Sequence, residues 1–399
     1  MNAAQTKPRV AIACGGTGGH LFPGIAVGGQ LLRRGCEVTL LISQKEIDRQ
    51  AVKNVSGMEI VALPAVRLGG NYFAFARGFS KSFFLAKKLF KKQKPLAVLA
   101  MGGFTSAASI LAAKISGAQT FLHESNTIPG RANRWLSRIV NRAFVGFPEI
   151  HTRLNTHRVS VTGTPVRPQF AACDPTSARA ALGLDPARPT LLIVGGSQGA
   201  TGINDLVVRT LPLLVKLVPQ LQFIHLTGAN DVEKVQRAYS TLGSENCLAV
   251  VRPFLAEMEL ALAATTVAIS RAGASALAEF AAMQTAAILI PFPAATDNHQ
   301  FHNARAFEQS GSAKLLEQTK AMPELLAQMI LELVENQTAR DKIRTALAAW
   351  HKPNAAEEIA ENILSAMRRS ADSRVRAKTS VSETRPRSNS MERQEFSAV

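Results

Sequence analysis

The 399-residue chain is poor in cysteine, in acidic side chains and in charge altogether, and each shortage excludes a class of protein. Its four cysteines, at 14, 36, 173 and 247, form no CxxC pair, so neither a zinc knuckle nor a disulfide framework is expected and a reducing cytosol fits best. No Asp-x-Asp occurs, so the paired carboxylates that clamp a divalent ion on a pyrophosphate are missing, and neither a metal site nor a cofactor is expected. No GxGxxG follows a strand, and EVTLLIS (37–43) ends at Ser43-Gln44 without the acidic residue that holds a dinucleotide ribose, which disfavours a nicotinamide enzyme. Charged residues make up 19% and apolar residues 46%, which excludes both disorder and a charge-laced coiled coil. Only 29 acidic residues stand against 46 basic ones, and the resulting +17 points to an anionic partner: a phosphorylated ligand, a nucleic acid or an acidic membrane surface.

Long apolar runs suited to a bilayer are also missing. Val10–Leu32 and Pro95–Ala113 lack Asp, Glu, Lys and Arg, but the first carries seven glycines and a proline and the second a Gly-Gly turn with Thr and Ser. Each reads as a buried strand passing through a loop into a helix. The apolar run before Cys14 is only Val10–Ala13, too short for a signal peptide.

What is present is alternation. The short aliphatic runs VAIAC (10–14), EVTLLIS (37–43) and LAVLAM (96–101) are separated by segments of helical period, and a second series runs through TLLIV (190–194), FIHLTG (223–228), VAIS (267–270) and AAILIPF (286–292). This predicts an α/β fold of two similar halves, each a parallel sheet covered by helices. The prolines of TGTPVRP (162–168) suggest a hinge, giving domains over 1–166 and 167–348. A helix within 349–367 would pack back on the first domain. Residues 368–399, with eight basic and four acidic side chains and no hydrophobic period, are expected to be a disordered tail.

Three glycine-bearing loops follow strand-like runs: GGTGGH (15–20), GGFTSAAS (102–109) and GGSQGA (195–200). Small residues admit a ligand close to the backbone, and a helix N-terminus favours an anion, so these loops suit phosphates; the first would also serve as a simple strand-to-helix turn. In SRAGASALAEFAAM (270–283) the carboxylate of Glu279 could accept hydrogen bonds from ribose hydroxyls, or be a solvated glutamate. Asp297, Asn298, His299, Gln300 and Asn303 crowd a strand-to-helix loop at a density that suits sugar hydroxyls.

GGTGGH, HESNTIPGRANRWL (123–136), TGTPVR, GGSQGA, SRAGASALAE and DNHQFHNARA, in this order and spacing, resemble the MurG family over residues 9–367. That resemblance implies two Rossmann-like domains facing across a cleft (the GT-B fold). It also implies transfer of N-acetylglucosamine from UDP-GlcNAc to undecaprenyl-diphosphate-linked N-acetylmuramyl-pentapeptide at the cytoplasmic face of the inner membrane, with other cell-wall synthesis proteins as partners and no nucleic acid. Carried over by motif, the donor contacts are Thr17, Gly18, Gly19, Asn126, Arg167 and Ser197, with Leu255 by the uracil. Ala274, Ser275, Ala276, Leu277, Ala278 and Glu279 hold pyrophosphate and ribose, and Gln300 holds the sugar. The acceptor diphosphate falls to Gly102, Gly103, Phe104, Thr105 and Ser106. Ser125, Thr164 and Ala107-Ala108 depart from the usual pattern, which bears on acceptor binding.

An inverting transfer needs a base, for which a neutral imidazole at His20 is suited, with Glu124 as fallback and His20 alternatively a structural brace of its loop. The same two-domain fold also serves other lipid-acceptor transferases, such as diacylglycerol glycosyltransferases, and a non-catalytic nucleotide-sugar sensor would share the donor motifs. Between residues 72 and 94 lie seven of the chain's aromatics and seven basic residues with no acidic one. The stretch is expected to meet an anionic leaflet through Phe73, Phe75, Phe79, Lys87, Lys88, Lys91 and Lys92, although an amphipathic core helix with a solvated lysine face has the same period.

Overall fold

The computed structural model describes all residues except 1–6, 16, 17, 54, 65–71, 157, 172, 197, 243–246 and 384–399. The first sheet holds β1 (Arg9–Ala13), β2 (Glu37–Ser43), β3 (Met58–Leu63), β4 (Ala97–Ala100), β5 (Gln119–Glu124), β6 (Arg142–Val145) and β7 (Val159–Val161). All its pairings are parallel, in the order β3-β2-β1-β4-β5-β6-β7. The second holds β8 (Thr190–Val194), β9 (Gln222–Leu226), β10 (Ala249–Arg252), β11 (Val267–Ser270), β12 (Ala287–Leu289) and β13 (Lys314–Leu315), also parallel and ordered β10-β9-β8-β11-β12-β13. The strands are continuous aliphatic runs because helices cover both faces; β2 is buried at every position after Glu37.

Those helices are α1 (Gly18–Arg33), α2 (Glu46–Ala51), α3 (Tyr72–Gln93), α4 (Gly103–Ile115) and α5 (Arg131–Leu136) in the first half. The second half has α6 (Pro175–Ala181), α7 (Thr201–Leu217), α8 (Val232–Ser240), α9 (Met258–Ala264), α10 (Ala274–Met283), α11 (His299–Gln309), α12 (Pro323–Glu335) and α13 (Gln337–Trp350), and α14 (Ala355–Glu383) follows. Each sheet reverses its winding between its first and fourth strands in chain order, β1 with β4 and β8 with β11. The loops leaving those strands diverge and open a crevice at the carboxyl edge, which is where open α/β sheets bind ligands.

Helix α14 returns to the first half. Its Ile359, Ala360, Ile363 and Met367 are buried in one cluster with Val10, Ile12, Leu21, Val27 and Leu31, and Arg142 Nη1 donates to Asn362 Oδ1 at 2.6 Å. The helix runs on to Glu383, so residues 368–383 are helical where their composition had suggested a disordered tail: lysine, arginine and alanine sustain a helix already nucleated by the packed turns before it. Residues 384–399 lie outside the described part. A second correction concerns 102–109, expected as a loop. Only Gly102 forms the turn, and the backbone enters α4 at Gly103, so Thr105, Ser106, Ala107 and Ala108 are buried helical residues. Ser106 Oγ lies 2.8 Å from the Ala13 carbonyl and 2.6 Å from the Gly102 carbonyl and shares its one hydrogen between them, which closes α4 onto the end of β1.

Candidate active site

His20 sits in the first turn of α1, directly after β1, and its ring lies against the turn that leaves β4. Gly102 has φ +127°, and a Cβ placed on it would stand 2.6 Å from His20 Nε2. Only glycine fits there. The imidazole is half-buried, and loss of water holds its pKa below the ordinary 6.5. Glu124 and Asp48 pull the other way, while His299 and Lys45 add to the lowering. The ring is therefore neutral at pH 7. His299 opens α11 in the second half, so its influence on His20 crosses from one half to the other.

Glu124 ends β5 and is buried. Its Oε1 accepts from the Asn126 backbone N–H and from Asn126 Nδ2, both at 3.0 Å, and its Oε2 accepts from the Gly130 N–H and Asn133 Nδ2, both at 2.9 Å. Four donors thus tie the carboxylate to its own loop, a bonding state that suits an organiser of residues 124–133 better than a proton acceptor. His123 is buried beside it, with Nε2 2.9 Å from the Gly163 carbonyl and Nδ1 3.2 Å from the hydroxyl of Ser125, so the departure at Ser125 is absorbed by a hydrogen bond. Thr164 lies against Gly146, whose added Cβ would meet Thr164 Oγ1 at 2.6 Å.

On the opposite side, α10 begins at Ala274 after Gly273, and no side chain caps its first-turn N–H groups, which leaves them for an anion. The run Ala274–Glu279 divides by helical period. Leu277 is buried in the core, whereas Ser275, Ala276, Ala278 and Glu279 are half-buried. Burial pushes the Glu279 carboxyl up to about 7; Arg167 opposes that shift and Glu259 adds to it. Arg167 is stacked between Phe22 of α1 and Phe170, with its guanidinium carbon 4.3 Å and 4.9 Å from the two ring centroids, and its Nε is buried without a hydrogen-bond partner. Gln300, in the first turn of α11, accepts from the Phe292 N–H at 3.0 Å through Oε1, which leaves its amide hydrogens to face hydroxyls. Leu255, expected by the uracil, is buried in the core. Gly18 and Gly19 open α1, while Thr17 and Ser197 fall outside the described residues, as does the side chain of Phe104.

Three further residues join the halves. Asn303 of α11 hydrogen-bonds Asn126 and Thr127. Asp297 pairs with Arg131 at 3.4 Å and Arg134 at 2.5 Å. Phe307 stacks on Trp350 with centroids 4.7 Å apart, and Phe147, which follows β6, closes on Trp350 at 5.2 Å. The polar density at 297–303 suits sugar hydroxyls, but Asp297 and Asn303 serve this junction instead.

Helix α3, between β3 and β4, has two faces. Phe79, Ser82, Phe83, Ala86 and Phe90 turn inward at helical spacing, so Phe79, expected at a membrane, packs on the core and stacks on half-buried Phe75. Tyr72, Phe73, Phe84 and Leu85 are exposed alongside Arg77, Lys81, Lys87, Lys88, Lys91 and Lys92. Among the described residues no helix is long and apolar enough to cross a membrane, and no group of His, Cys, Asp and Glu is arranged to hold a metal ion.

Comparison with known proteins agrees with this geometry. The model of the glycosyltransferase family 28 N-terminal domain matches residues 10–145, and that of the C-terminal domain matches 190–363. The UDP-N-acetylglucosamine–N-acetylmuramyl-(pentapeptide) pyrophosphoryl-undecaprenol N-acetylglucosamine transferase of Myxococcus xanthus is 33% identical over 393 residues, covering 96% of this chain and 100% of that one. The protein of that name from Anaeromyxobacter sp. (strain K) is 33% identical over 372 residues, 90% and 94% of the two chains. The crystal structure of Acinetobacter baumannii MurG superposes with a TM-score of 0.70 at 29% identity, covering 90% of this chain and 99% of that one. A UDP-GlcNAc 2-epimerase from Neisseria meningitidis, at 15% identity and a TM-score of 0.66 over 90% and 100% of the chains, shares the fold alone. With two GT-B domains, the glycine turns and the α10 site in place, the chain belongs to glycosyltransferase family 28 and, within it, to the MurG family.

Proposed function

We propose that this glycosyltransferase moves N-acetylglucosamine from UDP-GlcNAc to the C4 hydroxyl of undecaprenyl-diphosphate-linked N-acetylmuramyl-pentapeptide. The observation that carries the reading is that α1, with His20 cradled against Gly102, packs on α10 of the other half, whose N-terminus no side chain caps. The C-terminal half holds the nucleotide: ribose on Glu279, pyrophosphate on the α10 N–H groups, and sugar hydroxyls on Gln300. His20 takes the proton of the attacking hydroxyl, the new glycosidic bond forms on the face opposite the departing UDP, and the anomeric configuration inverts. Charge developing on UDP is met by the helix dipole and by Arg167, without a divalent ion. Glu124 keeps Asn126 and the 124–133 loop in place. The exposed aromatic and basic face of α3 lays the N-terminal half on an anionic leaflet at the cytoplasmic side of the inner membrane, beside the lipid acceptor.

The test is to incubate purified protein with labelled UDP-GlcNAc and the lipid-linked muramyl-pentapeptide, with and without chelator. Formation of the disaccharide lipid at the same rate in both arms is expected. Transfer to diacylglycerol instead, nucleotide binding without transfer, or a strict requirement for added magnesium would each overturn the corresponding part of the reading.

A further inference from the structure

Asn303 is completely buried at the junction of the two halves, and all its bonding capacity is used there. Its Nδ2 donates to Asn126 Oδ1 and to the Ala272 carbonyl, each at 3.1 Å, and its Oδ1 accepts from the backbone N–H and the hydroxyl of Thr127, each at 2.9 Å. Two donors and two acceptors on one short side chain are what an asparagine amide supplies; a carboxylate offers acceptors alone, and an apolar side chain would orphan the buried groups around it. The partners are not incidental. Ala272 belongs to the turn entering α10, where the donor pyrophosphate is placed, while Asn126 and Thr127 lie on the loop that Glu124 holds in the N-terminal half. Asn126 is gripped at both ends, by Glu124 through Nδ2 and by Asn303 through Oδ1, so its amide cannot rotate without breaking a buried bond. The same helix is fastened to the N-terminal half on either side of Asn303, by Asp297 just before it and by Phe307 one turn on.

We infer that Asn303 is a positioning residue for transfer: it locks the Asn126–Thr127 loop to the Ala272 turn and thereby sets the two half-sites in register. This rests on the reading of the site given above. Donor affinity resides in the C-terminal half, so the lock should matter to turnover and little to nucleotide binding.

Asn303→Asp keeps an acceptor for Thr127 but sets a carboxylate oxygen against Asn126 Oδ1 and the Ala272 carbonyl. It should lower kcat by roughly 10- to 100-fold, while calorimetric UDP affinity changes by less than about threefold. Thr127→Val, which removes a single hydroxyl donor and keeps the backbone N–H bond to Asn303 Oδ1, should lower kcat by about 3- to 10-fold and add little to the first variant, because both act through one contact. Hydrogen exchange of residues 124–133 with UDP bound should speed up in both variants, whatever the acceptor proves to be. Unchanged kcat or unchanged exchange in Thr127→Val overturns the inference, and so does a parallel loss of UDP affinity and kcat, which would make Asn303 a pillar of the donor half. If wild-type protein fails to glycosylate the lipid acceptor, the proposed function falls, and the exchange experiment still decides on the lock.

Discussion

His20 and Gly102 are in direct opposition: the Nε2 edge of the imidazole occupies the space where any side chain at 102 would begin. Gly102→Ala would add a methyl at a backbone angle of φ +127° and within 2.6 Å of Nε2, so either the ring or the β4–α4 turn must move. Turnover should fall by about 10²-fold or more, as expected for a displaced general base, with UDP affinity retained. Steady-state kinetics beside calorimetry check this; unaltered kcat would mean that the ring's seat is irrelevant to the chemistry.

The direction of the His20 shift fixes the pH profile. A base must be unprotonated, and burial holds this imidazole below 6.5, so the acid limb of kcat/KM should lie below that value, with activity full at neutral pH and lost as pH falls. His20→Ala should lower kcat by roughly 10²- to 10⁴-fold and abolish that limb. An unchanged limb in the variant would assign it to another group.

Glu279 gives the opposite handle, on binding. With the free carboxyl near 7 and a ribose that is held by the ionised form, UDP affinity should decline as pH drops below 7, by up to about tenfold per unit. Binding at pH 7 should release close to half a proton, which calorimetry in buffers of different ionisation enthalpy reads directly. Stability carries the reverse sign: a carboxyl raised from 4.5 costs nothing below its ordinary value and is fully destabilising above about 7. Glu279→Gln should therefore melt higher than wild type at pH 8 but not at pH 4.5, while binding UDP more weakly, by about 1 to 3 kcal/mol, at pH 8.

For the α3 surface, changing Lys87, Lys88, Lys91 and Lys92 together to Glu reverses four exposed charges without touching the inward face at Ser82, Ala86 and Phe90. At about 1 kcal/mol per basic residue near a charged leaflet, co-sedimentation with anionic vesicles should be largely abolished, and wild-type binding should weaken in rising salt. Activity on a short-chain, water-soluble acceptor should persist. Undiminished vesicle binding would leave the helix as a core element with a solvated face.

Much of this was legible in the chain because buried parallel strands and glycine turns leave strong local signals. EVTLLIS, TLLIV and VAIS coincide with β2, β8 and β11. The errors arose where a local signal had two tertiary outcomes. GGFTSAAS reads as a loop, but its residues are small because α4 starts at once and packs tightly on β1. The motif carrying Leu277 points to the ligand as a whole, but a helix can turn only part of a consecutive run toward one side, and Leu277 is buried. Phe79 shows the same ambiguity on α3, since a single helix here carries a core stripe and an exposed stripe. The role of Asn303 was hidden because its partners in the other half, Asn126 and Thr127, lie more than 170 residues away in sequence, and no spacing rule reaches that far.

The return of α14 to the first half sets an order on synthesis. The face formed by Val10, Ile12, Leu21, Val27 and Leu31 has its cover on Ile359, Ala360, Ile363 and Met367, which a ribosome makes only after the second domain. At roughly 5 to 20 residues per second, the nascent N-terminal sheet waits on the order of ten to forty seconds with that face open, while the entire second domain emerges. A chain stalled or cut before residue 355 would hold complete β1–β7 and β8–β13 sheets and still present a raw apolar flank, a ready target for chaperones and quality-control proteases. Helix α14 thus closes the amino-terminal half only after the second domain has been made.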